Sequence, residues 1–160
     1  DFARALPLYQ RLTDELPEPV RRHAEWFYRH GFCLQQVGRE DEALEVYHEF
    51  LRRFPSDREH MRFTQWRIME LRHERAEALI GTAQPERALE ELGFILESSW
   101  HPDPKQKARV LAGRAEEARG DLEAAREWYE LAVSEGSANA STSVREAEER
   151  LRALGELGVH

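Results

Sequence analysis

The chain has one cysteine, Cys33, which excludes an internal disulfide and any zinc site built on cysteine pairs. Lysine is scarce too: of 23 basic residues only Lys105 and Lys107 are lysine, and arginine is interleaved with glutamate on most of the chain. With a net charge of −8 and no segregated basic stripe, nucleic acid is not an expected partner. No run of about 18 apolar residues is present, so no membrane span is expected. The opening residues, Asp1-Phe2-Ala3-Arg4, contain neither an initiator methionine nor a basic-then-apolar leader. The chain is therefore expected to be a fragment of a longer protein. No compartment signal is legible, and the cytoplasm is only the default expectation.

Signatures of chemistry are absent as well. There is no Gly-rich phosphate loop and no nucleophile elbow, and the seven histidines form no ligand motif; His23 and His30 lie seven residues apart. The acidic groups Glu40-Asp41-Glu42 and Glu148-Glu149 fall at helix starts or on helix surfaces, where carboxylates meet the helix dipole favourably. No catalytic residue, cofactor or metal is expected, and the chain does not read as an enzyme.

What is present is a repeat. The stretch Ala24 to Asp57 reads as two helices, with Phe27, Gly31 and Leu34 on the first and Ala43, Tyr47 and Phe50 on the second, closed by Pro55. Gly31 and Ala43 lack bulk where the helices cross, and the large residues fill the space around that crossing. In a frame of 34 positions these residues occupy positions 4, 8, 11, 20, 24, 27 and 32. On that spacing the chain resembles the tetratricopeptide repeat family. Gly113, Gly120, Leu122, Ala125, Tyr129 and Ala132 repeat the pattern from Gln106 to Asn139. Ala5, Tyr9, Leu12 and Pro17 match the second helix alone, which makes the segment 2–17 a half repeat. Ala76, Leu79, Ala88, Leu92 and Ile95 hold the register in a unit whose first helix carries 11 extra residues, with no Gly or Pro from Arg58 to Ile80. Position 10 of such a unit takes a small buried residue, the role expected of Cys33.

The expected organisation is one domain over 1–160: a half repeat at 2–17, a repeat at 20–57, a lengthened repeat at 58–103, a repeat at 105–139 and a capping helix at 143–155. Eight helices are expected near 3–16, 20–37, 41–54, 58–82, 85–98, 105–119, 122–135 and 144–154, with irregular backbone from Ser98 to Pro104. A capping box is expected at Ser143 to Glu146. Trp26 and Trp66 are expected in the core, since aromatics dominate such packing.

The resemblance implies an all-α, right-handed superhelical solenoid of antiparallel helix pairs whose first helices line a concave groove. It implies a noncatalytic scaffold that holds a protein or peptide ligand. Positions 2, 5, 9 and 12 commonly face the groove, which nominates Tyr28, Phe32, Gln35, His73, Glu77, Lys107 and Arg114 for the partner. The chaperone-binding members grip a carboxyl terminus with lysines and asparagines. Here Tyr28, Phe32, Glu74, Lys107 and Leu111 stand in those places, so that activity is not expected. Two alternatives remain: self-association, including a homo-oligomer through the open face of the half repeat, and a regulatory or targeting domain of a larger enzyme.

Overall fold

The computed structural model describes residues 1–15, 23–98, 102–136 and 141–158. Among them are eight α-helices and no strand. The chain divides into two compact units, Asp1–Ile68 and Met69–His160.

The amino-terminal unit holds α1 (Phe2–Asp14), α2 (Ala24–Gln36), α3 (Glu40–Arg53) and the first part of α4 (Arg58–Gly81). α1 packs on α2, and α2 on α3. Asp1 caps α1 by accepting from the Arg4 N–H at 3.4 Å. The helix runs through Pro7, which is exposed and whose missing N–H removes one backbone bond without ending the helix. The expected turn at Pro55-Ser56-Asp57 is a true cap: Asp57 accepts from the His60 N–H at 3.0 Å and opens α4. Burial would raise the Asp57 carboxyl, but its hydrogen bonds from His60 outweigh that and hold it below the ordinary range.

The carboxy-terminal unit holds the rest of α4 with α5 (Pro85–Glu97), α6 (Pro102–Arg119), α7 (Leu122–Ser134) and α8 (Ser141–Glu156). One core joins Ala76, Ala88, Leu92, Ile95 and Leu111; a second joins Val110, Tyr129, Ala132, Ala147 and Leu154. α8 packs on both α6 and α7.

Three turns link first helices to second helices, and all use one geometry. The N–H of Arg39, Gln84 and Asp121 reaches back five residues to the carbonyl of Leu34, Leu79 and Glu116, at 2.9, 2.9 and 3.0 Å. That bond needs a left-handed residue just before the donor. Gly38 and Gly120 supply it at φ 79° and 84°, while Ala83 adopts φ 56° in the lengthened unit without glycine's freedom.

The crossings follow the expected size rule. A Cβ on Gly31 would lie 2.5 Å from Tyr47 Cε1, so the ring occupies the space that glycine leaves open. Gly113 meets Tyr129 in the same way. In the lengthened unit both partners change, with Ala76 and Leu92 buried in one core. A smaller second-helix residue admits a methyl group on the first.

Three expectations need correction, and a fourth falls outside the described residues. α6 begins at Pro102, so part of the stretch expected to be irregular is helical; proline fits a helix's first turn, where no N–H partner is required. α8 starts at Ser141, ahead of Ser143, so Ser143 to Glu146 is not a capping box. The start expected for α2 at Val20 lies outside the described residues, whose helix begins at Ala24. Trp66 is 55% exposed because Thr64, Ile68 and Leu71 take the buried stripe of α4 and leave residue 66 on the opposite side.

Candidate functional site

The nominated residues fall in both units. In the amino-terminal unit α2 carries Tyr28, Phe32 and Gln35, one turn apart, on a stripe beside the one that fills the helix crossing. Phe27, Gly31 and Leu34 are buried on the crossing stripe, whereas Tyr28, Phe32 and Gln35 are half-buried. The rings of Tyr28 and Phe32 stack at 6.5 Å with planes 12° apart.

Around them lie groups from neighbouring helices. Phe2 of α1 meets Phe32 edge-on at 5.5 Å, and Arg67 of α4 sits over the Phe32 ring at 4.8 Å. Tyr28 touches His60 at 5.9 Å and Phe63 at 6.3 Å, both on α4. Sequence reasoning missed Phe2, Phe63 and Arg67. Phe63 and Arg67 are spaced i, i+4 on one helix, a signal that could have paired them with Tyr28 and Phe32. Phe63 stays 55% exposed. Gln35 has a structural duty as well, accepting from the Tyr47 hydroxyl at 3.2 Å.

In the carboxy-terminal unit His73 is buried and presents almost no surface. Glu77 is exposed and sits between two cations, with Lys107 Nζ at 3.4 Å and Arg114 Nη1 at 3.8 Å. Arg114 also lies 3.8 Å from Glu146 of α8. The two basic residues nominated for an acidic ligand are thus paired within the protein.

α8 covers the next turns of α6. Val110 is buried in the core that includes Ala147 and Leu154 of α8, and Glu117 accepts from the Tyr129 hydroxyl at 3.0 Å and from Arg150 at 3.0 Å. Burial, reinforced by the Glu117 charge, pushes the Tyr129 phenol far up, so it remains a donor at all ordinary pH. The bond repeats the one from Tyr47 to Gln35, each reaching back 12 residues.

Elsewhere the titratable groups serve packing. Burial lowers the His30 pKa below its ordinary value, so the ring is neutral at pH 7; its Nδ1 lies 2.9 Å from Thr13 Oγ1 and ties α2 to α1. Cys33 is buried, as its small-residue role requires, and burial raises its thiol. Among the described residues no group of three or more His, Cys, Asp or Glu is placed to hold a metal. No helix among them is long and apolar enough to cross a membrane.

Helix-turn-helix units with identical turns and a repeated small-against-large crossing define a helical repeat protein. A family model, Tetratricopeptide repeat, matches residues 73–141. That match lies in the carboxy-terminal unit and supports tetratricopeptide-like repeats there. Such repeats generally mediate protein–protein interaction or scaffolding, and the family is typically noncatalytic. No curated protein and no solved structure matches the chain.

Proposed function

We propose that the chain is a noncatalytic scaffold module that holds a protein or peptide segment against its first helices. The observation that carries the reading is the stacked pair Tyr28 and Phe32. The helix crossing beside them is already filled by Phe27, Leu34 and Tyr47, yet both rings keep accessible surface. Half-exposed aromatics on a rigid helix offer apolar contact area at little cost in side-chain entropy. Tyr28, Phe32 and Gln35 form the contact set of the amino-terminal unit. Glu77, Lys107 and Arg114 form that of the carboxy-terminal unit, with His73 buried. Because Glu77 shares both cations, apolar contact leads and charge adds modestly.

The test is selection from a random peptide library displayed on phage, using the folded chain as bait. The reading expects peptides with an aromatic or aliphatic anchor, whose affinity falls about tenfold or more in Tyr28→Ala and Phe32→Ala at a temperature where both variants remain folded. Peptides indifferent to both substitutions would overturn it.

A further inference from the structure

In the amino-terminal unit Arg4, Arg11, Arg29, Arg39, Arg52 and Arg53 each lie against a carboxylate three or four residues away. Arg58 and Arg62 do not. They are exposed one turn apart on α4, and among the described residues neither side chain has a hydrogen bond or ion pair, although Glu59 stands three residues before Arg62. Arg58 also stands in the first turn of its helix, where the dipole disfavours a cation, so helix stability does not account for it.

The same side of α4 carries Trp66, one turn beyond Arg62, with Phe63 beside it. Both are 55% exposed, more than any other aromatic side chain among the described residues. Thr64 and Ile68, both 0% exposed, mark the opposite side of the helix. None of this belongs to the repeating frame. Counting back from Ala76, which takes the place of Gly31 and Gly113, the frame opens at Met69, and Arg58 to Ile68 are the 11 residues added in front of it.

Arginine and the large aromatics are the residue types that protein interfaces enrich, and an unpaired cation beside an exposed indole complements a carboxylate next to an apolar group. A polyanion is a poorer match. Nucleic-acid binding draws on about six to ten phosphate contacts, whereas this side offers two arginines with Glu59 between them, on a chain of net charge −8.

We infer that the outer side of the added turns, Arg58, Arg62, Phe63 and Trp66, takes an acidic stretch of the partner protein, with an apolar side chain on Trp66 and Phe63 and carboxylates on Arg62 and Arg58. Arg58, Arg62 and Trp66 follow one another at about 6 Å along the helix axis, which sets the spacing of those groups. The inference rests on the reading that a partner segment lies on Tyr28 and Phe32, and it adds that segment's charge and its path, since Phe63 touches Tyr28 at 6.3 Å.

The test repeats the phage selection with the whole chain as bait and, in parallel, with a bait carrying Arg58→Gln and Arg62→Gln. Peptides selected on the parent are expected to hold aspartate or glutamate near an aromatic or aliphatic residue. Made synthetically and titrated by calorimetry, they should lose about three- to tenfold in affinity on the double variant and about tenfold or more on Trp66→Ala. Changing the peptide's acids to amides should lower affinity by the same factor on the parent and not at all on the double variant, a coupling that general loss of structure cannot mimic. The three substituted positions are exposed, so the parent's melting temperature is expected throughout. Peptides that depend on Tyr28 and Phe32 but tolerate the double variant and Trp66→Ala would overturn this inference and leave the reading of Tyr28 and Phe32 standing. An empty selection, or peptides indifferent to all of these substitutions, would overturn both. Vesicles of phosphatidylcholine and phosphatidylserine that retain the chain through Arg58 and Arg62, with no acidic peptide selected, would overturn it by giving this side to a membrane surface. So would a concentration-dependent dimer in sedimentation that Trp66→Ala abolishes, because it would give this side to a second copy.

Discussion

Tyr129 places its ring where a side chain on Gly113 would begin: a Cβ there would lie 2.6 Å from Cζ, well inside contact distance. Neither residue can be understood without the other. The glycine is required by the ring, and the ring is fully buried because the glycine lets the helices approach.

That dependence can be measured as a coupling. Gly113→Ala alone should destabilise the chain by about 1–3 kcal/mol through overpacking. With Tyr129→Leu also present, the site acquires the Ala76 and Leu92 combination of the lengthened unit, and most of the alanine's cost should vanish. Denaturant melts of the four proteins in this cycle check the claim; additive effects would contradict it.

The turn after α4 offers a stabilising change. Ala83 adopts φ 56° where the equivalent turns use Gly38 and Gly120. A left-handed conformation costs an L-residue about 1–2 kcal/mol, and glycine's extra freedom in the unfolded chain offsets about 0.4–1 kcal/mol of the relief. Ala83→Gly should therefore raise stability by about 0.5–1 kcal/mol, whereas Gly120→Ala should lower it by a similar amount. Equal losses in both variants, read from melting temperature, would show that φ at residue 83 carries no strain.

Acid should loosen the contact between α1 and α2. The His30 pKa is lowered from 6.5 on folding, chiefly by burial, so the unfolded state binds the proton first. Stability is then fully present above pH 6.5 and falls as pH drops from there toward the folded value. Nearby Asp14 and Glu42 limit the fall and Arg39 reinforces it. Urea melts between pH 7 and pH 5 should show a slope that His30→Gln flattens; identical slopes would remove His30 as the cause.

Much of the architecture could be read from residue types, because a helix crossing restricts them strongly. Gly31 with Tyr47 and Gly113 with Tyr129 were legible as small-against-large pairs, and the 24-residue α4 was legible from its lack of Gly and Pro. Helix starts were less so. Pro102 and Ser143 read as punctuation, yet both residue types are tolerated in a first turn, and tertiary packing decides whether the helix includes them.

The candidate site was legible as positions and opaque as contacts. Tyr28 and Phe32 stood out as aromatics beyond what the crossing needs. The ion pairs of Glu77 join residues 30 and 37 apart in sequence, outside any local pattern. Phe2 meets Phe32 only through the packing of α1 on α2, which the spacing of neither helix reveals.

The pairing at Glu77 predicts a gain of function. Glu77→Gln frees Lys107 and Arg114 from their shared carboxylate, so selected peptides with an acidic residue should bind about two- to fivefold tighter, and the gain should shrink in high salt. Neutral peptides should be unaffected. Titration calorimetry at two salt concentrations decides it, and unchanged affinity for acidic peptides would place their charge elsewhere.

The central claim, that a partner segment lies on the first helices, is tested most directly by the aromatic ring resonances of Tyr28 and Phe32 during titration with a selected peptide. The account predicts that these signals shift in proportion to occupancy and that saturation coincides with the calorimetric endpoint. Saturated binding that leaves both rings unperturbed, with shifts confined to second-helix residues of α3, α5 and α7, would contradict it.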